Sequence, residues 1–250
     1  FWPEGKAISP ILGRNTERQI DSLWVYLNEL EQTRLPEGLE KKGGFELKPD
    51  KRPIVFRTFI EGAGTHAIAI GFPVGIHAAF DSEAVGWTTL WRGKFLDAES
   101  TWDDRFPPLA KPLGTDIIQL PTGPAVGRLQ EGKPWPEGGL LFRGYRLAKD
   151  GTPTLLYRHG KTDITDTLSP KDDGLRRRME FSAGEGKLWV RLAVANEFFT
   201  SERGVWIGAN KLTLIAPTAR VRTINGKAEL IAPIDLKTND NTVLEVQLSW

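Results

Sequence analysis

Hydrophobic residues recur along most of this chain in short runs separated by turn residues. From residue 53 onward, runs rich in Val, Ile, Phe, Thr and Trp alternate with Gly, Pro, Asn and Asp. About a dozen such runs predict a mainly β protein built as a large antiparallel β-sandwich or super-sandwich. A barrel or a propeller is the alternative, although no repeat of fixed period supports propeller blades.

The run at 187–194 shows the pattern of a strand with one buried face. Its alternation places Leu188, Val190, Leu192 and Val194 on one face and Trp189, Arg191 and Ala193 on the other. Two dipeptides between strands, Asp150-Gly151 and Asn225-Gly226, predict hairpin turns because both favour positive φ.

One amphipathic helix is predicted near the start of the chain. Thr16 and Gln19 fit a capping box, and Pro36 ends the helix after about Thr33. The apolar residues at helical spacing are Ile20, Leu23, Trp24, Leu27 and Leu30. We therefore divide the chain into a helical segment (1–36), a polar Gly- and Lys-rich linker (37–52) and a β-sandwich domain (53–250).

Composition limits the chemistry more than it identifies it. The chain has 250 residues, no cysteine and a net charge of +1, so it lacks a thiolate metal site, a cysteine nucleophile and a C-x-x-C-H haem motif. The balanced charge argues against a nucleic-acid partner. The most apolar stretch, 66–80, is interrupted by Pro73, so no membrane span is predicted.

The densest cluster of candidate binding residues lies at 87–105. Aromatic rings stack on the apolar faces of sugars, while carboxylates and arginines bind their hydroxyls, so this cluster is a candidate carbohydrate site. Its members are Trp87, Trp91, Arg92, Asp97, Trp102, Asp103, Asp104 and Arg105. The alternative is that the tryptophans belong to the core and the charged residues to loops. No catalytic residue is assigned.

Three further features of the sequence bear on function: two histidines, one arginine in an apolar strand and a proline-rich stretch. His66 and His77 lie in successive strands and are weak candidates for a metal site, which would need Asp or Glu to complete it. Arg177 shares a strand face with Leu175 and Met179, so it needs a carboxylate partner or a ligand, unless this strand is bulged or at an edge. The proline-rich stretch 95–136, with one short strand predicted at 117–120, is typical of a functional or a disordered connection.

Two segments resemble large multi-domain c-type cytochrome proteins of planctomycetes and related bacteria. Residues 1–27 are similar to the end of a cytochrome c domain, with the closing-helix pattern I-D-x-L-W-x-Y-L at 20–27. The sequence at 57–105 and 143–158 is similar to the β-rich module that follows such domains.

The resemblance implies a periplasmic or cell-surface protein with a haem domain upstream. No haem ligand transfers to this chain, because C-x-x-C-H is absent and the only methionine, Met179, lies in a strand pattern. Haem c is therefore expected only in a segment before Phe1, and a start without Met is consistent with a piece of a longer protein. The partner would be that haem domain or a redox protein.

Two functions from different classes follow. The first is a non-catalytic β-sandwich module that serves docking or electron-transfer assembly in a cytochrome-like protein. The second is a carbohydrate-binding or carbohydrate-active module that uses the cluster at 87–105. An enzyme with a His/Asp metal site is a third and weaker interpretation.

Overall fold

The computed structural model describes residues 44–102 and 108–250. The predicted helix at 16–33 and most of the linker lie outside the described residues. Residues 46–47, at the end of the predicted linker, form the first strand. The described residues contain one short α-helix, α1 (Glu99–Trp102). The strands are β1 (Glu46–Leu47), β2 (Ile54–Ile60), β3 (Gly64–Gly71), β4 (Ile76–Asp81), β5 (Gly86–Arg92), β6 (Leu96–Asp97), β7 (Thr115–Gln119), β8 (Val126–Gly127), β9 (Leu140–Leu147), β10 (Pro153–His159), β11 (Thr162–Lys171), β12 (Gly174–Phe181), β13 (Lys187–Ala195), β14 (Phe198–Glu202), β15 (Val205–Gly208), β16 (Thr213–Ile215), β17 (Arg220–Ile224), β18 (Lys227–Asp235) and β19 (Thr242–Ser249).

The strands form four antiparallel sheets. The largest has eight strands in the order β14-β15-β16-β19-β12-β11-β10-β9, and the others have the orders β2-β3-β4-β5-β7, β17-β18-β13-β8 and β1-β6. The prediction of a mainly β, antiparallel sandwich is confirmed. Most neighbours in a sheet are also neighbours in sequence, as short hairpin connections require.

One core is shared by the three large sheets. Ile68 and Leu90 from the five-stranded sheet, Leu168 and Met179 from the eight-stranded sheet, and Val190 from the four-stranded sheet belong to a single buried cluster. The inward residues of facing sheets interdigitate in this way in β-sandwiches. Burial of this continuous apolar layer is the main stabilising contribution to the fold.

The five-stranded sheet is buried on both faces. Its second face carries Ala69, Ala79 and Trp91, which pack with Phe95 and Leu96 in a separate cluster. Because both faces are buried along β4 and along residues 67–71 of β3, these segments consist mainly of small and apolar residues without an apolar–polar alternation.

Both predicted hairpin turns are present. Asn225 (φ 52°) and Gly226 (φ 73°) join β17 to β18 with Ile224 paired to Lys227, and both positive φ angles suit a two-residue hairpin loop. Gly151 (φ 89°) closes the turn between β9 and β10, where its N–H donates to the Ala148 carbonyl. Within the described ranges, no helix has the length and apolar character needed to cross a bilayer.

The alternation predicted for 187–194 holds only in its first half. Leu188 and Val190 are buried in the core and Arg191 lies on the opposite face, largely buried, but the pairing of β13 with β18 shifts between Arg191 and Ala193. This bulge turns Ala193 into the core and brings Val194 to the outer face opposite Glu229. The irregularity matters because Arg191, Val194 and Glu229 line a surface cleft described below.

Candidate functional site

The two strand tryptophans of the sequence-predicted cluster lie on opposite faces of the five-stranded sheet. A bulge between Ala79 and Phe80 in the β4–β5 pairing breaks the two-residue period. Trp87 therefore joins the large core at 3% exposure, and Trp91 joins the smaller cluster at 0%. The structure thus places both rings in the core, as the alternative interpretation of the sequence expected, and neither offers a face to a sugar.

The remaining described members of that cluster are spread over the surface. Arg92 binds Asp173 and the main-chain carbonyl of Trp250, so it ties β5 to the end of the chain. Asp97 accepts the main-chain N–H of Glu99 at 2.8 Å and caps α1. Trp102 is 56% exposed. Asp103, Asp104 and Arg105 lie outside the described residues, so the candidate site as a whole remains a prediction.

The two histidines considered for a metal site are not neighbours. In the β3–β4 hairpin His77 pairs with Gly71, whereas His66 lies beyond the other end, where its carbonyl accepts from Ser82. The reason is the antiparallel register: the start of β3, where His66 lies, is next to the end of β4, whereas His77 lies at the start of β4. Across residues 44–102 and 108–250, no group of three or more His, Cys, Asp or Glu side chains is arranged to hold a metal ion.

His77 is instead a buried histidine with a structural hydrogen bond. Its Nε2–H donates to the Gly93 carbonyl at 2.8 Å, while its Nδ1 has no partner in the described part of the chain. Burial lowers the pKa of His77, and the bond to Gly93 opposes that shift. The imidazole is therefore neutral at pH 7.

A buried polar network lies between the five- and eight-stranded sheets. Asp166, at 0% exposure, accepts from Trp87 Nε1 at 3.1 Å, from the Tyr157 hydroxyl at 2.9 Å, and from Arg177 Nε and Nη2 at 3.1 and 2.7 Å. Burial raises the pKa of Tyr157 well above its ordinary value, and the Asp166 charge adds to the rise. Each group has its partner, so the network stabilises the fold rather than awaiting a ligand.

This network answers the question that the sequence posed about Arg177. The arginine points to the apolar side, as its strand phase predicted, and its partner is the Asp166 carboxylate. The alternative of an edge or bulged strand is wrong, because β12 lies between β11 and β19 with regular register on both sides.

A surface cleft opens beside the outer face of the four-stranded sheet. It has a volume of about 710 Å³ and is lined by 119–124, 134–137, Arg191, Val194 and the β17–β18 hairpin. The first two segments belong to the proline-rich stretch and form one wall. A second hollow of about 380 Å³ shares Val194 and Lys227 with the cleft, so the two are adjacent.

One arginine, one carboxylate and one indole of the cleft lining (Arg191, Glu229 and Trp135) pack together, and a second arginine, Arg222, lies beside them. Glu229 binds Arg191 Nη1 at 3.4 Å and Arg222 Nε at 2.7 Å. Both guanidinium groups lie over the Trp135 ring, with Cζ 5.0 Å (Arg191) and 5.7 Å (Arg222) from its centroid. The indole N–H donates to the Pro124 carbonyl at 2.7 Å, which fixes the ring. We call these four residues the Trp135 cluster.

The Trp135 cluster retains unused binding capacity. Arg191 donates to the Thr122 carbonyl, yet its buried Nε–H has no partner among the described residues. Burial lowers the pKa of Arg191, an effect that Glu229 opposes and the Arg222 charge reinforces. Two cations share one carboxylate, so the cluster carries one uncompensated positive charge. Planar guanidinium groups are suited to binding oxygen-rich ligands.

Reasoning from neighbouring residues in the sequence missed this site, because its parts come from distant segments. Trp135 lies in the proline-rich loop, Arg191 in β13, Arg222 in β17 and Glu229 in β18. One available signal was the outward alternation in two strands, Trp189–Arg191 and Arg220–Arg222. The other was the long irregular segment at 95–136, which is typical of functional connections.

Comparisons with known proteins do not assign the chain to a family. No protein-family model matches it, and no curated protein matches it significantly. A solved structure called a polysaccharide lyase is similar with a TM-score of 0.31 and 13% identity, over 79% of this chain and 32% of that structure. The chain therefore spans about a third of the length of that protein.

Proposed function

We propose that this β-sandwich is a carbohydrate-binding module whose ligand occupies the Trp135 cleft. The observation that carries the proposal is the Trp135 cluster in an open cleft of about 710 Å³. Arginine donors, the Glu229 acceptor and exposed amides at Gln119 and Asn225 line one concave surface. Sugar hydroxyls both donate and accept hydrogen bonds, so a cleft with both kinds of group suits them.

Glu229 supports a hydroxyl-bearing ligand in particular. Its Oε2 is occupied by Arg222, but its Oε1 accepts only one bond, at 3.4 Å from Arg191. That oxygen can accept a hydrogen bond from a ligand hydroxyl. An ionised phosphate oxygen has no hydrogen to donate and cannot make this bond. The chain's net charge of +1 likewise lacks the basic excess that nucleic-acid binding requires.

The test is a binding screen of the purified chain against neutral and acidic polysaccharides by affinity electrophoresis, followed by variants of the cleft. Arg191→Gln and Thr122→Trp should each weaken binding, the first by removing donors and the second by filling the cleft from an exposed position. Trp102→Ala is the matched control, because this exposed tryptophan belongs to the sequence-predicted cluster at 87–105.

The outcomes separate the two candidate sites. Loss of binding in the cleft variants with retention in Trp102→Ala supports the Trp135 cleft. Loss in Trp102→Ala alone transfers the site to the cluster at 87–105. Absence of binding to every polysaccharide in the screen removes the proposal.

A docking role beside a haem domain is the second proposal. It is supported by the I-D-x-L-W-x-Y-L pattern at 20–27. In this proposal haem c is held by a segment upstream of Phe1, and the protein acts in the periplasm or at the cell surface. A C-x-x-C-H motif upstream, together with Soret absorption by the longer protein, would support it, and an upstream sequence without that motif would remove it.

A further inference from the structure

We infer that the ligand of the Trp135 cleft is an acidic polysaccharide, with a uronate carboxylate bound at Lys227 where the cleft meets the second hollow. This inference rests on the proposed function and adds the ligand's charge and length. The cleft and the hollow are adjacent and share Val194 and Lys227 in their linings. An extended chain, rather than a single sugar, fits two hollows that lie side by side.

Lys227 is an exposed cation that no carboxylate compensates. Its Nζ donates to the Asn196 side-chain oxygen at 2.8 Å, and no Asp or Glu in the described residues pairs with it. The short Asn225-Gly226 turn fixes its backbone at the start of β18. An ammonium group held by a neutral amide retains its full charge for a ligand.

The charged side chains at and beside the cleft carry a net positive charge. Those in its lining are Arg191, Lys227, Glu137 and Glu229, and a third cation, Arg222, lies beside them over the Trp135 ring. Three positive and two negative charges give a net charge of +1. A carboxylate on the ligand would complete the balance, and charge-assisted hydrogen bonds to carboxylates are stronger than neutral ones.

The second hollow supplies the neutral contacts that a chain of sugars needs beyond Lys227. It is lined by the Asn196 and Asn210 amides and by Ala195 and Ala209. Asn210 uses its oxygen to accept from the Leu212 N–H at 3.4 Å, so its amide donors remain available. Ala209 is exposed at the rim, where a larger side chain would close the hollow without disturbing the core.

The test uses oligosaccharides of galacturonate, mannuronate and glucuronate, from one to six sugars, each as the free acid and as its methyl ester. Binding is measured by calorimetry at low ionic strength. At least one free acid should bind about fivefold more tightly than its ester, the scale of one exposed charge pair. Affinity should also rise between two and six sugars.

Three variants separate charge from length. Lys227→Ala should remove the preference for the free acid, while Lys149→Ala, the matched lysine beside the Asp150-Gly151 turn, should leave it unchanged. Ala209→Trp should remove the gain with chain length and leave the binding of short oligomers intact.

The failure of this inference is distinguishable from that of the proposed function. Equal binding of acids and esters, or binding of neutral polysaccharides alone, overturns the acidic ligand while the carbohydrate module stands. A preference for acids that persists in Lys227→Ala overturns the role of this lysine. A length gain that persists in Ala209→Trp overturns the role of the second hollow. No binding of any saccharide overturns both.

Discussion

Replacing Asp166 by Asn tests how the two larger sheets are held together. The substitution conserves shape but leaves Arg177, at 5% exposure, as a buried cation without a counter-charge. It also turns amide hydrogens toward the N–H and O–H groups of Trp87 and Tyr157, which now donate to the carboxylate. Breaking a buried ion pair from one side costs about 3–5 kcal/mol, a large part of the about 5–15 kcal/mol that stabilises a typical domain.

The assay is urea unfolding followed by tryptophan fluorescence and far-UV circular dichroism. Asp163→Asn is the matched control, because Asp163 lies on the same strand and pairs with Arg158 at 2.6 Å, but both side chains are exposed (60% and 42%). An exposed pair of this kind contributes up to about 1 kcal/mol. If Asp166→Asn lowered the free energy of unfolding by less than about 1 kcal/mol, or by the same amount as Asp163→Asn, Asp166 would not be the buried counter-charge that stabilises this interface.

Two further predictions concern a titration and a close backbone approach. Burial lowers the pKa of His77 below its ordinary value of 6.5, so its contribution to the free energy of unfolding is present above pH 6.5 and is lost as the pH falls through the lowered pKa. Between pH 7 and pH 5, denaturation should therefore show a smaller decrease in the free energy of unfolding for His77→Gln than for the wild type. An equal decrease in the two proteins would contradict this. A Cβ at Gly174 would lie 2.1 Å from the Leu248 carbonyl oxygen, whereas one at Gly138 meets nothing within 4 Å; Gly174→Ala should therefore lower the melting temperature and Gly138→Ala should not, and equal melting temperatures would contradict the register of β12 with β19.

The sequence predicted those features of the fold that depend on local pattern. Turn chemistry placed Asn225-Gly226 and Asp150-Gly151 correctly, because positive φ at these positions is a property of the residues themselves. The strand phase of β12 likewise predicted that Arg177 points to the apolar side and needs a carboxylate partner or a ligand, and the structure shows the carboxylate. The strand phase could not identify Asp166, since a partner in a neighbouring strand depends on pairing register.

Two β-bulges explain why a strict two-residue period assigns some side chains to the wrong face of a sheet. A period of two placed Trp87 and Trp91 on one side, but one extra residue in β5 turned them to opposite sides. The same effect in β13 moved Val194 from the expected core to the cleft. The Trp135 cluster escaped prediction for a different reason: Trp135 and Glu229 are brought together only by tertiary packing.

The most direct test of the Trp135 cleft as the ligand site is an NMR titration of the tryptophan indole N–H signals. The polysaccharide that binds most tightly in the screen is added to the labelled chain, with each of the 9 tryptophans assigned by substitution. If the ligand binds in the Trp135 cleft, the Trp135 signal should shift with saturation while the Trp102 signal stays in place. A shift of Trp102 without Trp135, or saturable binding that moves neither, would contradict it.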